Sequence, residues 1–479
     1  MKELFPNCHR MNYSDNDLAG FRLTGNDMVD YGLDTVAVFC RKNAPEELTY
    51  QDLAEYRKTL EKSLLAPGLV GQHSVYFTMN FGAINPSAKP ENKRDYAEQI
   101  SSAYLYEPDR IDETCAYCGR PAIIRGFRNL IPMLTGEAVI NFYAQGDAGI
   151  PVCGKCLLAV LALTTGAPMV SGRMLFLGCS NREIIREFIA EWLRKFLPRL
   201  QLASSGGDKL DKIGNPLNRV SEVILNIDRM KDEWQEFDIH VYHLTNSGQG
   251  PASDIYHLPI SVVRFARLAK MYHREIWREI VKSGQESSDK AEEFPRNYLY
   301  DDLFRLPEYA PRFIRTYFLR RALSRGAGKK DPRTGYNPVF QAHLVSWGLV
   351  ELFLKEVTAM EQVRIDALRN LGDAIAAYLM ETDDHSLFGK LFRAGKYSII
   401  RNLLIKISKR QVAKGAAPII TFDGFLNAFE EAEELARIDW HLAWDLVTIR
   451  IIESLYQHNW LQKNKEKLAE ELEDEETEG

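Results

Sequence analysis

The sequence predicts an α+β fold: a mixed N-terminal region with a four-cysteine module embedded in it, followed by an all-α C-terminal bundle. Three observations carry this. Two Cys-x-x-Cys pairs, Cys115-Ala-Tyr-Cys118 and Cys153-Gly-Lys-Cys156, sit between segments of mixed helical and strand pattern. Short alternating runs rich in Val, Tyr, Phe and Thr occur only in the first half. From about residue 256 onward every segment carries helical periodicity, ending in a bundle.

The 479 residues suffice for about two or three domains. The boundaries we read are 1–335 for the α+β region, with the module at 115–156, 336–464 for the bundle, and 465–479 for an acidic tail expected to be disordered. The odd cysteine total of 7, with no apolar leader after Met1, points to a reducing cytoplasm. No apolar run is long enough for a bilayer, so no membrane role is expected.

Taking the elements in order, Asn26 is placed to cap a helix from about Asp27 to Cys40. Thr49 and Asp52 form a capping box for a helix at 48–64, with Leu53, Tyr56, Leu60 and Leu64 as its apolar stripe. His73–Phe81 alternates and reads as a strand leading into Asn85-Pro86 and Lys89. Asn85 there is either a ligand-facing amide or, as turn chemistry favours, a plain Asn-Pro turn. Ile123–Phe127 and Ala138–Tyr143 read as short β pieces, and Arg173–Gly178 as a buried strand. Asn181 caps a helix to about Leu197, with Ile184, Phe188, Ile189, Trp192 and Phe196 inward.

Residues 203–217 are Ser/Gly-rich and expected to be mobile. Asp238–Leu244 is a strand on which His240 and His243, three apart, face opposite sides and so share no ion. Helices are expected at 259–283, 311–325, 339–357, 361–380, 396–413, 420–436 and 439–462. Asp383-Asp384-His385 reads as a helix-start cap rather than as a metal site.

The cysteine pairs carry the strongest chemistry. Each pair puts two thiolates on one turn, and two pairs complete a tetrahedral shell. Zn2+ bound by Cys115, Cys118, Cys153 and Cys156 is then structural, because no coordination position stays open for water. Redox or disulfide pairing is the alternative. Cys8, Cys40 and Cys179 are isolated, and the last two read as small core residues.

Charge is distributed unevenly. The tail, 465–479, carries −6, which is the whole formal net charge of the chain. Basic clusters fall at 312–333, with Arg312, Arg315, Arg320, Arg321, Arg325, Lys329, Lys330 and Arg333, and at 393–414, which has no acid. Such clusters track a phosphate backbone or are simply solvated helix faces. The loop Thr245-Asn246-Ser247-Gly248-Gln249-Gly250-Pro251 offers neutral donors and acceptors suited to base edges, although a plain turn uses the same residue types. No phosphate-binding loop, His-Glu-x-x-His, Gly-x-Ser-x-Gly or zinc-deaminase signature is present.

Several of these pieces occur in the order of a known family. They are Asp27-Met-Val-Asp-Tyr-Gly32, Leu48–Leu53, Asn80 with Asn85-Pro86, Cys115-x-x-Cys118-Gly, Asn141-Phe-Tyr, Cys153-Gly-x-Cys156 and Thr245–Gln249. Together, over about residues 25–260, they resemble the CXXC–CXXC family of CRISPR-associated proteins, the large subunits of type I-B Cascade.

The resemblance implies a non-catalytic subunit of an RNA-guided surveillance complex. It would recognise the protospacer-adjacent motif on double-stranded target DNA, help unwind it and stabilise the R-loop, in antiviral defence or guided transposition. Implied partners are the guide crRNA, target DNA, the Cascade backbone and guide-end-cap subunits, and a helicase-nuclease or transposition proteins. A small subunit made from an internal start near Met360 is implied as well. On this reading Asn246, Ser247 and Gln249, with Asn85 nearby, touch the motif, while Arg315, Arg320, Arg321, Lys406, Lys409 and Arg410 hold phosphate. The competing expectation is a zinc-stabilised, metal-dependent nuclease using Asp301 and Asp302, or Asp383 and Asp384. A scaffold that binds only protein is a third.

Overall fold

The computed structural model describes residues 4–134, 136–137, 148–204, 215–226, 238–246, 251–286, 296–323, 330–432 and 435–468. It is mixed α+β, helix-rich, with small antiparallel sheets. The chain divides into two compact units, Met1–Ile260 and Ser261–Gly479. Residues 261–335 therefore group with the C-terminal helices, not with the region read from the sequence as 1–335.

The first unit contains β1 (Cys8–Arg10), α1 (Asp27–Phe39), α2 (Tyr50–Leu65), α3 (Val70–Phe77), α4 (Pro90–Ser101), β2 (Tyr106–Pro108), β3 (Ile124–Gly126), β4 (Ile150–Val152), α5 (Gly154–Gly166), β5 (Met169–Val170), β6 (Arg173–Cys179), α6 (Arg182–Ser204), α7 (Pro216–Asn226), β7 (Ile239–Thr245) and β8 (Ala252–Leu258). The caps fall where the sequence puts them. Asn26 accepts the Val29 N–H, and Thr49 and Asp52 close a reciprocal capping box. β5 to β8 form one antiparallel sheet in sequence order.

α5 is the axis of this unit. All its residues except Lys155 are buried, as befits a helix apolar on every side. α1 crosses it closely: a Cβ on Gly32 would lie 1.9 Å from the Ala159 carbonyl oxygen, and one on Gly166 2.0 Å from Thr35 Oγ1. The C-terminal carbonyls of a buried helix need partners from elsewhere. Here Gln72 Nε2 donates to Thr164 O (3.4 Å), Trp192 Nε1 to Thr165 O (2.9 Å), and the Tyr31 hydroxyl to Gly166 O (2.8 Å). The Tyr76 hydroxyl donates to Ala167 O.

That arrangement corrects the strand expected at 73–81. α3 occupies 70–77 because Gln72 and Tyr76, one helical turn apart, both reach the end of α5. Long-range bonds override the β-propensity of Val75, Tyr76 and Phe77. α6 likewise continues through Pro198 to Ser204, since Leu200 and Ala203 extend its buried face. Residues 252–258 pair with β7 as an edge strand, so the all-helical part read from about 256 begins only after Leu258. His240 is exposed and His243 buried, on opposite faces of β7 as expected. The β piece expected at 138–143 lies outside the described residues, as does most of 203–217.

The second unit contains α8 (Ile260–Tyr272), α9 (Arg274–Ser283), α10 (Tyr298–Leu303), α11 (Ala310–Phe313), α12 (Trp347–Glu356), α13 (Gln362–Thr382), α14 (His385–Phe392), α15 (Tyr397–Ala413), α16 (Phe422–Phe429), β9 (Glu430–Ala432), β10 (Leu435–Ala436), α17 (Trp440–Gln457) and α18 (Trp460–Lys463). Ring contacts bind 261–335 to the bundle: Phe353 lies 5.0 Å from Phe265, 5.4 Å from Phe313 and 5.3 Å from Phe318. The helix expected at 311–325 ends early. After α11 the chain widens into a π turn over Ile314–Phe318 and leaves helical geometry at Arg320, with φ +60°. The helix expected at 420–436 stops at Phe429, where β9 turns back on β10. Of the acidic tail, residues 465–468 are described: Leu468 is buried and its N–H bonds Asn464 O.

Candidate metal centre

Two backbone devices bring the cysteine pairs together. β3 pairs antiparallel with β4, Ile124 opposite Val152. Cys115 and Cys118 lie on a turn before β3, and Cys153 directly follows β4. Gly119, with φ +74°, closes the first turn, where its N–H donates to Cys115 O at 2.9 Å. The Ala116 N–H to Pro151 O bond, 2.9 Å, ties that turn to β4.

Cys153 is the N-cap of α5, and its Sγ accepts the Cys156 N–H at 3.5 Å. Gly154 serves packing more than turn geometry: a Cβ there would lie 1.9 Å from the Ala103 carbonyl oxygen.

The four sulfurs lie within 4.8 Å of one another, Cys118 and Cys153 at 3.5 Å. A tetrahedral shell with metal–sulfur bonds of about 2.3 Å has edges of about 3.8 Å. The cluster thus has the size and donor set of a closed four-thiolate site, and the residues fit a metal ion. All seven cysteines are free, so the disulfide alternative is not realised.

Cys115, Cys153 and Cys156 are buried and Cys118 is half-buried. Hydrogen bonds from Cys118, Cys153 and Cys156 hold the Cys115 thiol far below its ordinary range. Cys156 is pushed far above it, first by its bond to Cys115 and then by the other two. Four thiols so close cannot all ionise without a cation between them. Burial also lowers the Lys155 pKa, with Arg120 adding to the effect, while the Cys153 thiolate opposes both.

The isolated cysteines behave as core thiols, with burial pushing Cys40 up to about 12 and Cys179 up to about 11.

The other sequence-derived candidates are placed unequally. Asn246 is buried. Its N–H donates to Val75 O (2.8 Å), its Nδ2 to Tyr76 O (3.0 Å) and Arg128 O (2.7 Å), and its Oδ1 accepts from Arg128 Nε (3.3 Å). This amide is a structural tie and has no group left for a base edge. Ser247 and Gln249 lie outside the described residues. Asn85 Oδ1 accepts the Ser87 N–H at 2.9 Å, a local turn.

Of the arginines assigned to phosphate, Arg320 is fully buried, lies 3.4 Å over the Tyr336 ring and donates to Gln341 and Ser283. Arg321 is half-buried against the Phe392 ring and carbonyl, and partial burial lowers its pKa to about 10. Arg315 donates to both Asp445 oxygens at 3.1 Å. Of the three, Arg320 lies inside the bundle, whereas Arg315 is exposed beside Asp445 and Arg321 is half-buried. By contrast Lys406, Lys409 and Arg410 are exposed along α15, with Arg410 3.9 Å from Asp384.

The carboxylates suspected of metal-dependent hydrolysis have other work. Asp302 accepts from Tyr317 and Arg333, and Asp301 pairs with Arg296 at 2.7 Å. Within the expected cap stretch it is Asp384 that caps α14, and Asp383 accepts from Trp460 Nε1. Met360 lies between α12 and α13.

Sequence reasoning missed Arg128 and the side chains that cap the end of α5. Their partners are backbone groups far along the chain, which no local pattern reveals.

Comparisons with protein-family models, with curated proteins and with solved structures each return no match. The class that fold and site define is a helix-rich α+β protein with a four-cysteine cluster of a size that fits a metal ion. No helix among the described residues is long and apolar enough to cross a membrane.

Proposed function

We propose that this chain is the non-catalytic large subunit of a type I-B Cascade, an RNA-guided CRISPR surveillance complex, and that its four-cysteine centre holds zinc. The observation that carries nucleic-acid binding is α15. Its exposed face presents Arg401, Lys406, Lys409 and Arg410, within a stretch, 393–414, that contains no acid. A rigid helix with cations at this spacing suits a strand backbone. The ordered motifs of residues 25–260 supply the family.

On this reading, when bound by Cys115, Cys118, Cys153 and Cys156, zinc supplies a structural crosslink between the β3–β4 ribbon and α5, with no open position for chemistry. The residues that read the protospacer-adjacent motif are then Ser247 and Gln249. Guide crRNA, target double-stranded DNA and the other Cascade subunits are the partners, and the cytoplasm is the compartment.

The test is co-expression with a guide RNA and the neighbouring subunits, followed by target-DNA binding. Co-purification of RNA and motif-dependent DNA binding support the proposal. A chain that brings down neither RNA nor partner refutes it.

A further inference from the structure

A cleft of 640 Å³ opens between α15 and the segment that leads into α16. Leu404, Ile405 and Val412 line it from α15, and Ile420, Phe422 and Phe425 from the other side. Ile405 is 45% exposed, Val412 57% and Phe422 75%. Contiguous exposed apolar side chains of this size mark interaction sites.

The chemistry of the cleft selects its occupant. Arg401, Ile405, Ser408 and Val412 follow one another at i, i+4, i+7 and i+11, one stripe of α15 about 16 Å long. That is a seat for about three turns of helix. The floor and walls, Leu404, Ile405, Val412 and Ile420 with Phe422 and Phe425, receive Leu or Phe anchors of an amphipathic helix, while Arg401 and Lys409 are the cationic lining groups that meet an anion.

The rim is cationic, with Arg401 and Lys409 lining the cleft and Lys406 beside them. Glu430 is the single carboxylate among the lining residues and already accepts the Tyr397 hydroxyl at 2.6 Å. Charge complementarity therefore calls for acids flanking the apolar anchors. The chain's own residues 469–479 are acidic, but Leu472 is their one large apolar residue, too few to fill such a cleft.

We propose that this cleft docks an amphipathic α-helix of a partner protein, about three turns long, apolar on one face and rich in Glu and Asp beside it. This goes beyond nucleic-acid binding by α15 and does not depend on it.

The test is a display selection of helix-biased peptides of about fifteen residues on the full chain, counter-selected on Ile405→Glu/Val412→Glu. The expected result is enrichment of peptides with apolar residues at i, i+4 and i+7 flanked by acids. Their affinity falls at least tenfold on the double variant and on Lys409→Glu. The affected side chains are surface-exposed; thermal melts check the fold, and Phe422→Ser is the second variant should the double variant not fold.

No enrichment over the counter-selection overturns the proposal, as do enriched peptides lacking acids. So does a labelled dT oligonucleotide that binds the wild type, is weakened by Phe422→Ser and displaces the peptides, because the cleft is then a base-stacking site. An oligomer in the absence of peptide that dissociates in the double variant also overturns it, in favour of a second copy.

Discussion

Asn246 and Arg128 hold each other by three hydrogen bonds. Asn246 Nδ2 donates to Arg128 O at 2.7 Å, Arg128 Nε donates to Asn246 Oδ1 at 3.3 Å, and Arg128 Nη2 donates to Asn246 O at 2.7 Å. The pair closes the end of β7 onto the chain that leads out of the cysteine ribbon. Asn246→Ala keeps the main-chain bond from Arg128 Nη2 but takes the Nδ2 donor from the Tyr76 and Arg128 carbonyls, a loss of about 1–3 kcal/mol for each carbonyl left buried. We expect a clear loss of stability in urea unfolding and, at temperatures where the variant is folded, unchanged motif selectivity in DNA binding. Selectivity lost with stability unchanged would restore Asn246 as a reader of base edges.

Gly154 joins the metal centre to the protein interior. A methyl group there meets the Ala103 carbonyl at 1.9 Å, backbone against backbone, and has no side chain to displace. Gly154→Ala is expected to cost about 1–3 kcal/mol, as overpacking does, and to lower metal content by shifting the start of α5, which carries Cys153 and Cys156. Metal analysis beside an unfolding curve checks both. A variant with full metal content and unchanged stability would show that α5 can slide.

How much of this was legible in the sequence depended on the range of the interaction. The Asn26, Thr49 and Asp384 caps and the facing of His240 and His243 are local chemistry and could be read directly. The cysteine pairs were legible because two residues on each turn suffice to announce a ligand. α3 was misread because what makes it a helix, Gln72 and Tyr76 reaching the end of α5, lies 91 or 92 residues along the chain. Arg320 looked like part of a cationic patch because composition cannot show a π turn. That widening of the helix sends its guanidinium onto Tyr336 instead of into solvent.

The metal itself is testable by removal. Cys115→Ser, Cys153→Ser and Cys156→Ser each leave three thiolates and are expected to lose the ion and to destabilise the first unit, because metal binding and folding are coupled. One equivalent of zinc per chain by elemental analysis is expected for the wild type, with loss of stability on chelation. One equivalent of iron would keep the site and change the metal.

His73 gives a pH signature. It is fully buried, 3.4 Å from Ser63 Oγ, and burial pulls its pKa from 6.5 down to about 3. The folded state therefore holds the neutral ring, and the unfolded chain binds the proton first. Its contribution is fully present above pH 6.5 and is lost as pH falls toward 3, by up to about 1.4 kcal/mol per pH unit. His73→Gln should flatten the stability difference between pH 7 and pH 5 relative to wild type, whatever its constant cost. Parallel pH profiles for the two proteins would show that His73 is protonated in the fold.

Cations that serve binding differ from cations that serve packing in how their loss changes salt dependence. Lys406 and Lys409 are exposed on α15, whereas Arg320 donates to Gln341 and Ser283 inside the bundle. If α15 tracks a single strand, each cation lost removes about 0.7 from the slope of log affinity against log salt. Lys406→Ala/Lys409→Ala should therefore bind more weakly, with a slope shallower by about 1.4 and a near wild-type unfolding curve. Arg320→Ala should show the converse: a destabilised bundle that loses the Arg320 bonds to Gln341 and Ser283 and the stacking on Tyr336, and an unchanged salt slope while folded. A slope that follows Arg320 and ignores the α15 lysines would place the strand on the 312–333 face and refute the role given to α15.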